Sequence, residues 1–173
     1  MNTIFGVIIL KYKKLKKNDG ENYLKLLKKL DHETSFMLYE SNERKTTVKE
    51  MEQKIEQINS RGGVIIGAEL NNEIIGFISA GRVPLKRVKH SVYIVAGVLS
   101  KESDKGIGTK LFKNLIEWAE ENEISRLELT VMKHNERAIN LYKKIGFEIE
   151  GIKKNSLVLD GDYIDEYYMG MIF

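Results

Sequence analysis

Cysteine is absent from the 173-residue sequence, and proline occurs once, at Pro84. The lack of cysteine excludes disulfides, thiolate nucleophiles and cysteine-ligated zinc, and it fits a reducing cytoplasm. No spacing of histidines and acidic residues is typical of a metal site, so no metal is expected. Since there is also no linker-like or repetitive segment, we expect residues 1–173 to form a single domain.

Long hydrophobic runs and a strong net charge are also lacking. The opening MNTIFGVIIL is too short to span a bilayer and has no basic segment before it, so we interpret it as an extension leading into a first strand. A net charge of +3 does not by itself indicate nucleic-acid binding, and KYKKLKK at 11–17 favours a solvated edge strand. We expect a cytoplasmic protein that binds neither nucleic acid nor a membrane; a homodimer is left open.

Hydrophobic periodicity predicts an α/β (α+β) chain in which strands alternate with helices. Helices are predicted from Asp19 to about Leu30, over 48–58 behind a Thr46 or Thr47 cap, over 107–122 and over 135–145. Strand patterns cover 63–70, 73–81, 90–99, 126–132, 146–152 and 162–172, and Asn71-Asn72 predicts a hairpin turn between the first two. The run at 90–99 is apolar on both faces, as in a central strand.

Two glycines stand at the start of the third helix, in SDKGIG at 103–108. Free backbone N–H groups at a helix start can bind an anion, and glycine lets a phosphate approach the backbone. The spacing does not match a P-loop, and Leu111 stands where the dinucleotide fingerprint has its third glycine. Taken alone, Gly106 and Gly108 are equally compatible with a tight turn and close helix packing.

The fourth helix carries a second pattern, NERAINLYKKIGF at 135–147. Asn135 and Tyr142 are seven residues apart and so share one helix face, with the small Ala138 between them. Gly146 is placed to end the helix. From this helix alone, Tyr142 is also compatible with a core position.

Together the two patterns resemble the loop [Q/R]-x-x-G-x-[G/A] and the motif N-x-x-A-x-x-L-Y-x-x-x-G-F of the GNAT superfamily of N-acetyltransferases. The resemblance is strongest from Val92 to Gly151 and implies a mixed, mostly antiparallel sheet of six to seven strands with about four helices. It also implies an acyltransferase that moves the acetyl group of acetyl-CoA directly to a primary amine of a small molecule or peptide. Ser103 replaces the usual Gln or Arg, so one contact to the cofactor is missing.

The resemblance also implies a role for individual residues. The pantetheine arm of acetyl-CoA would lie along 96–98, with a bulge at Gly97, and Asn135 would hydrogen-bond it. The backbone N–H near Val98 would stabilise the oxyanion, and Tyr142 would be the general acid. The pyrophosphate would bind N–H groups of 104–109, so the cofactor-binding residues are Val98, Asp104, Lys105, Gly106, Ile107, Gly108, Thr109 and Asn135.

The general base is left open by the sequence, because Val92 stands where histone-acetylating relatives have a glutamate. The candidates are a water chain or one of His90, Glu40, Asp165 and Glu166. Because of this gap and Ser103, a CoA-binding sensor that has lost catalysis is the alternative function. We expect the acceptor cleft to be lined by the loop 32–46, the loop around Pro84 and the hairpin 160–166.

Overall fold

The computed structural model describes residues 10–173. In chain order the main elements of this range are β1 (Leu10–Lys14), α1 (Gly20–Glu33), α2 (Val48–Ser60), β2 (Val64–Leu70), β3 (Glu73–Arg82), β4 (Ser91–Val98), α3 (Ile107–Glu121), β5 (Arg126–Met132), α4 (Glu136–Ile145), β6 (Glu148–Leu159) and β7 (Asp162–Ile172). The strands form one sheet in the order β1-β2-β3-β4-β5-β7-β6. Every neighbouring pair is antiparallel except β4 and β5. The predicted mixed α/β fold is confirmed.

Local sequence signals set several of these boundaries. Thr47 begins α2 through a capping box, in which its hydroxyl accepts from the N–H of Glu50 and the Glu50 carboxylate accepts from the N–H of Thr47. The β2–β3 turn places Asn71 and Asn72 at φ 50° and 66°, a left-handed conformation that asparagine tolerates. Gly146 ends α4 at φ 119°. The predicted cap, hairpin and helix end are confirmed.

The helices cover both faces of the sheet. Side chains alternate along β4, so Gly97 and Val98 point to opposite faces. A Cβ on Gly97 would meet Leu30 of α1, whereas a Cβ on Gly76, the partner of Val98 in β3, would meet Ile107 of α3. Helix α4 packs against α3. The fully buried core side chains fill both interfaces and include Leu26, Ile55, Phe77, Ile78, Leu111, Phe112 and Leu115.

Some boundaries differ from the sequence prediction. Helix α1 continues to Glu33, and β6 runs to Leu159 instead of ending near residue 152. Strand β6 is the outer strand of a long hairpin, and most of its side chains are exposed. Its sequence therefore lacks the apolar alternation that marks a half-buried strand. Strand β1 lies at the other edge, as predicted, while the predicted extension at residues 1–9 lies outside the described residues.

Candidate active site

The parallel pair at the centre of the sheet is short. Strand β4 pairs with β5 only from Ser91 to Tyr93, and among the described strand pairings Ile94–Val98 has no partner on this side. On its other side Leu99 donates to the carbonyl of Ile75 at 2.9 Å. Hydrogen-bonded and non-hydrogen-bonded pairs alternate in an antiparallel ladder, so the N–H and C=O groups of Ala96 and Val98 point into the gap toward β5. Strand β4 thus presents an open backbone edge inside the sheet.

The predicted bulge at Gly97 is not present. The register between β3 and β4 is continuous from Val92 to Val98. The glycine has a packing reason instead, because an added Cβ would lie 2.9 Å from Cδ1 of Leu30 and 3.2 Å from Cε1 of Phe77. The gap between β4 and β5 therefore does not depend on a bulge, and it begins where the backbone pairing of the two strands ends, after Tyr93.

The loop before α3 contains two residues in the left-handed region. Asp104 has φ 60°, and Gly106, the residue at the N-cap of α3, has φ 77°. The first backbone N–H groups of a helix, here from Ile107 onward, have no carbonyl one turn earlier. Gly108 is helical, and its Cβ would lie 3.1 Å from Cδ2 of Leu141 in α4. Gly106 is thus explained by its backbone conformation and Gly108 by the close approach of α3 and α4.

The charged side chains of this loop are paired. Lys105 Nζ lies 2.9 Å from Glu102 Oε2, and Glu102 is buried. Asp104 Oδ1 accepts from Nη2 of Arg137, in the first turn of α4, at 3.0 Å. The exposed guanidinium of Arg137 therefore lies beside the α3 N-terminus, although it follows Asp104 by 33 residues.

Helix α4 places Asn135 and Tyr142 along the same cleft. The side-chain Oδ1 of Asn135 accepts from the N–H of Ala138 at 3.2 Å, so the residue is the N-cap and its amide nitrogen remains able to donate. The ring of Tyr142 packs on Phe112 and Phe147, with centroid distances of 5.4 and 6.0 Å. Burial, with a smaller contribution from Tyr93, raises the pKa of Tyr142 to about 12.

The hydroxyl of Tyr142 has no hydrogen-bond partner among the described residues, and Tyr142 lines a cleft of about 890 Å³. This cleft joins the gap between β4 and β5 to the α3 N-terminus. Seven of the eight predicted cofactor-binding residues line it, and Lys105, whose side chain is paired with Glu102, does not. The residues shared by the prediction and the cleft are Val98, Asp104, Gly106, Ile107, Gly108, Thr109 and Asn135.

Of the four side chains proposed as a general base, Glu166 alone lines the cleft. His90 precedes β4 instead of lying on it, and Asp165 accepts from the backbone N–H of Asn155 at 3.0 Å. Glu40 belongs to the loop between α1 and α2 but is not among the lining residues. Val92 is buried, so this position offers neither a carboxylate nor access to the cleft.

The cleft walls match the sequence prediction in part. Seven residues of the loop 32–46 line the cleft, among them Phe36, Met37 and Tyr39. The predicted contribution of the Pro84 loop is wrong, because no residue between Gly81 and Tyr93 lines the cleft. The hairpin contributes Glu166 together with Lys153 and Leu157 of β6, and its turn at 160–161 lies elsewhere.

Two side-chain pairs in the cleft wall carry no sequence signature. Arg44 makes a bidentate pair with Asp31, with Nε–Oδ2 and Nη2–Oδ1 distances of 2.5 and 2.9 Å, and both residues are buried. The Tyr93 hydroxyl lies 2.7 Å from Oγ1 of Thr130 and so bridges β4 and β5 just where their backbone pairing ends. Each pair joins residues that only the tertiary fold brings together.

The described residues contain neither a cluster of metal ligands nor a helix that could cross a membrane. No group of three or more metal-ligating side chains occurs between residues 10 and 173. None of the helices in this range has both the length and the apolar surface that a bilayer crossing requires.

Comparisons with known proteins agree with this geometry. Residues 26–147, more than half of the chain, match the acetyltransferase (GNAT) family. The chain is 31% identical over 119 residues to an L-amino acid N-acetyltransferase, AaaT, of Escherichia coli, covering 68% of this chain and 74% of that protein. A GNAT-family acetyltransferase structure from Streptococcus pneumoniae superposes with a TM-score of 0.91 at 29% identity, covering 95% of this chain and all of that one.

A second structure has the same fold at lower identity. The protein yncA of Salmonella typhimurium, solved with its cofactor acetyl-CoA, superposes with a TM-score of 0.83 at 18% identity and covers 94% of this chain and 93% of its own. The glycine-loop and asparagine–tyrosine motifs, the seven-stranded sheet and the family match all lead to one assignment. The chain is an acyltransferase that belongs to the acetyltransferase (GNAT) family.

Proposed function

We propose that the protein transfers the acetyl group of acetyl-CoA directly to a primary amine. The observation that carries this proposal is the open backbone edge of β4, which shares one cleft with the α3 N-terminus and the Tyr142 hydroxyl. Buried backbone N–H and C=O groups need partners, and the amides of a pantetheine arm would supply them. A hydroxyl without a protein partner in the same cleft is available to a reacting sulfur.

The chain's residues fit this cosubstrate along its length. The N–H groups of Ile107, Gly108 and Thr109 would hold phosphate oxygens at the start of α3. The backbone of Ala96 and the carbonyl of Val98 would pair with the pantetheine amides, and the Asn135 amide would donate to one of the pantetheine carbonyls. When bound, acetyl-CoA supplies an acetyl group activated as a thioester.

Three groups of the chain would act on the reaction, in which the amine nitrogen forms the new C–N bond while the C–S bond breaks. The Val98 N–H would donate to the oxygen on which negative charge develops. Tyr142 would give its proton to the departing sulfur. The proton lost by the amine would leave through Glu166 or through water, since Glu166 is the candidate base that lines the cleft.

The comparisons support both parts of the proposal, the transfer to an amine and the use of acetyl-CoA. The relative from Escherichia coli is named an N-acetyltransferase, and yncA was solved with acetyl-CoA. The second hypothesis, a sensor that binds CoA without catalysis, predicts the same cofactor site and differs only in turnover.

Calorimetry tests the binding of acetyl-CoA, and a transfer assay separately tests the acetylation of an amine. Acetyl-CoA should bind with a 1:1 ratio per chain, and pantetheine without phosphates should bind more weakly. Mass spectrometry of a panel of primary amines incubated with acetyl-CoA should then show acetylated products and free CoA. Equal affinity for both compounds would exclude the α3 N-terminus as the phosphate site. Binding without any product would favour the sensor.

A further inference from the structure

Glu166 is a buried carboxylate with one unused oxygen in the cleft. It lies on β7 opposite Met132, and its exposed fraction is 8%. Its Oε2 accepts from the Ser156 hydroxyl and lies 3.5 Å from Lys153 Nζ. Among the described residues, Oε1 has no hydrogen bond. A buried carboxylate binds donors strongly, so this oxygen is available to a cationic donor in the cleft.

The cations of the cleft, by contrast, are mostly paired within the protein. The Arg44 guanidinium donates two hydrogen bonds to Asp31 and stacks on Tyr39, with its Cζ 4.1 Å from the ring centroid. Lys153 is held by Glu166, and Arg137 by Asp104 at the other end of the cleft. Lys54, on the exposed side of α2, is the remaining cation of the described lining. A carboxylate on a bound molecule would therefore have to pair with Lys54 or break one of these ion pairs.

Part of the wall of the same cleft is apolar. The loop between α1 and α2 contributes Phe36, Met37 and Leu38 to the lining, and β6 contributes Leu157. Phe36 and Leu38 are 42% and 77% exposed, so part of their apolar surface is available to a bound molecule. An apolar substituent on the acceptor would cover this surface.

We infer that the acceptor is a primary amine with an apolar substituent and no neighbouring carboxylate, whose ammonium is received by Oε1 of Glu166. This inference rests on the proposed acetyl transfer and names its acceptor class. An α-amino amide, as at the N-terminus of a peptide with an apolar first residue, has this chemistry. A free amino acid does not, so the acceptor differs from the one for which the Escherichia coli relative is named.

A set of acceptors with the same apolar substituent tests the inference with the unmodified protein. L-Leucine and L-leucinamide differ in the charge of one group, and 3-methylbutylamine lacks that group altogether. The kcat/KM for acetylation of leucinamide and of 3-methylbutylamine should exceed that of leucine by roughly tenfold or more, because leucine brings an unpaired carboxylate into the cleft. The alkylamine is the control for amine basicity. With a pKa near 10.4, 3-methylbutylamine has a smaller neutral fraction than leucinamide, whose α-amino group next to an amide has a pKa of about 7.7–8.0.

Variants of β7 assign the effect to Glu166. Glu166→Gln should raise the KM for leucinamide and 3-methylbutylamine roughly 10- to 100-fold, and it should narrow their advantage over leucine by releasing Lys153. Asp165→Asn removes the same charge from the adjacent residue, which does not line the cleft, and should leave these KM values within about twofold.

The outcomes separate this inference from the proposed function. Acetylation of leucine as efficiently as of both carboxylate-free amines would overturn the acceptor class and leave acetyl transfer intact. An equal effect of Glu166→Gln and Asp165→Asn would overturn the role of Glu166. If acetyl-CoA binds and the protein acetylates neither these three amines nor any amine of the wider panel, the proposed transfer fails and the inference fails with it. Acetylation of other panel amines alone would overturn only the acceptor class.

Discussion

The two sides of the cleft offer different kinds of chemical group to a ligand. The α3 and α4 side offers the backbone N–H groups after Gly106, together with the side-chain amide of Asn135, which is itself fixed by the backbone as the N-cap of α4. The α1 and β7 side offers side chains that are held by other side chains, such as Arg44 by Asp31 and Glu166 by Ser156. A backbone site depends on local conformation, whereas a side-chain site depends on which distant residues meet. The first side therefore suits a ligand common to a family, and the second suits an acceptor that differs between members.

The largest expected effect comes from Tyr142, the proposed general acid, on the α3 and α4 side of the cleft. Tyr142→Phe keeps the ring that packs on Phe112 and Phe147 but removes the proton for the leaving sulfur. The kcat should fall about 10²–10⁴-fold, the usual contribution of a general acid, while the Kd for acetyl-CoA stays within about twofold. Steady-state kinetics and calorimetry measure the two quantities, and circular dichroism checks the fold. An unchanged kcat, with chemistry shown to limit the rate, would make Tyr142 a packing residue.

The pH profile provides an independent control. A general acid works in its protonated form, so its contribution is present below its pKa and is lost as the pH rises through it. Burial raises the pKa of Tyr142 to about 12, and the hydroxyl therefore stays protonated throughout an ordinary assay range. Profiles of kcat/KM up to about pH 10.5 should have the same shape for wild type and Tyr142→Phe. An alkaline fall near pH 9–10 that only the wild type shows would contradict the raised pKa.

The contrast between the two sides also explains what the sequence predicts. The Asn71-Asn72 turn, the Thr47 cap and the glycine loop are each specified within a few neighbouring residues, so local rules identify them. The cleft wall is specified by pairs that lie 13 residues apart for Asp31 and Arg44 and 37 apart for Tyr93 and Thr130. No periodicity links such positions. Gly97 is an intermediate case, because a glycine in a strand indicates either a bulge or close packing, and only the position of Leu30 distinguishes the two.

The next effect concerns the buried Asp31–Arg44 ion pair on the α1 and β7 side of the cleft. Arg44→Met leaves the Asp31 carboxylate buried without its partner, which typically costs about 3–5 kcal/mol of unfolding free energy. Urea denaturation measures this loss. The double variant Asp31→Leu, Arg44→Met removes both charges and should recover most of the stability, because the desolvation cost disappears with the pair.

Arg126→Met is the matched control for that experiment. Arg126 pairs with Glu150 and Glu128 at a partly exposed position, with Nη2–Oε2 and Nε–Oε2 distances of 2.5 and 2.9 Å. Solvent-accessible pairs contribute up to about 1 kcal/mol, and bidentate geometry favours the upper end of that range, so this variant should lose much less stability than Arg44→Met. If Arg44→Met were as stable as Arg126→Met, the buried Asp31–Arg44 pair would contribute no more to the unfolding free energy than a partly exposed one.

The smallest expected effect concerns Arg137, whose exposed guanidinium lies on the α3 and α4 side of the cleft. Ser103 stands where the family has Gln or Arg, and Arg137 lies against Asp104 in the same loop, with a 3.0 Å hydrogen bond. We expect Arg137 to move from Asp104 to a cosubstrate phosphate, since a guanidinium binds phosphate in a bidentate manner. Arg137→Ala should weaken acetyl-CoA binding roughly tenfold in calorimetry and reduce the salt dependence of the Kd.

Asp104→Asn decides between this role and a purely structural ion pair. If Arg137 binds phosphate, removing the Asp104 charge releases it and removes a repulsion, so acetyl-CoA should bind as tightly as to wild type or more tightly. If the pair only fixes the loop, both variants lose the same contact and should weaken binding to a similar extent. Both side chains are exposed, at 60% for Arg137 and 89% for Asp104, so neither variant should lower the unfolding free energy by more than about 1 kcal/mol. If the two variants change the Kd in opposite directions, Arg137 on α4 supplies the phosphate contact that Ser103 cannot make. If both variants weaken binding equally, the backbone N–H groups at the start of α3 alone bind the phosphates.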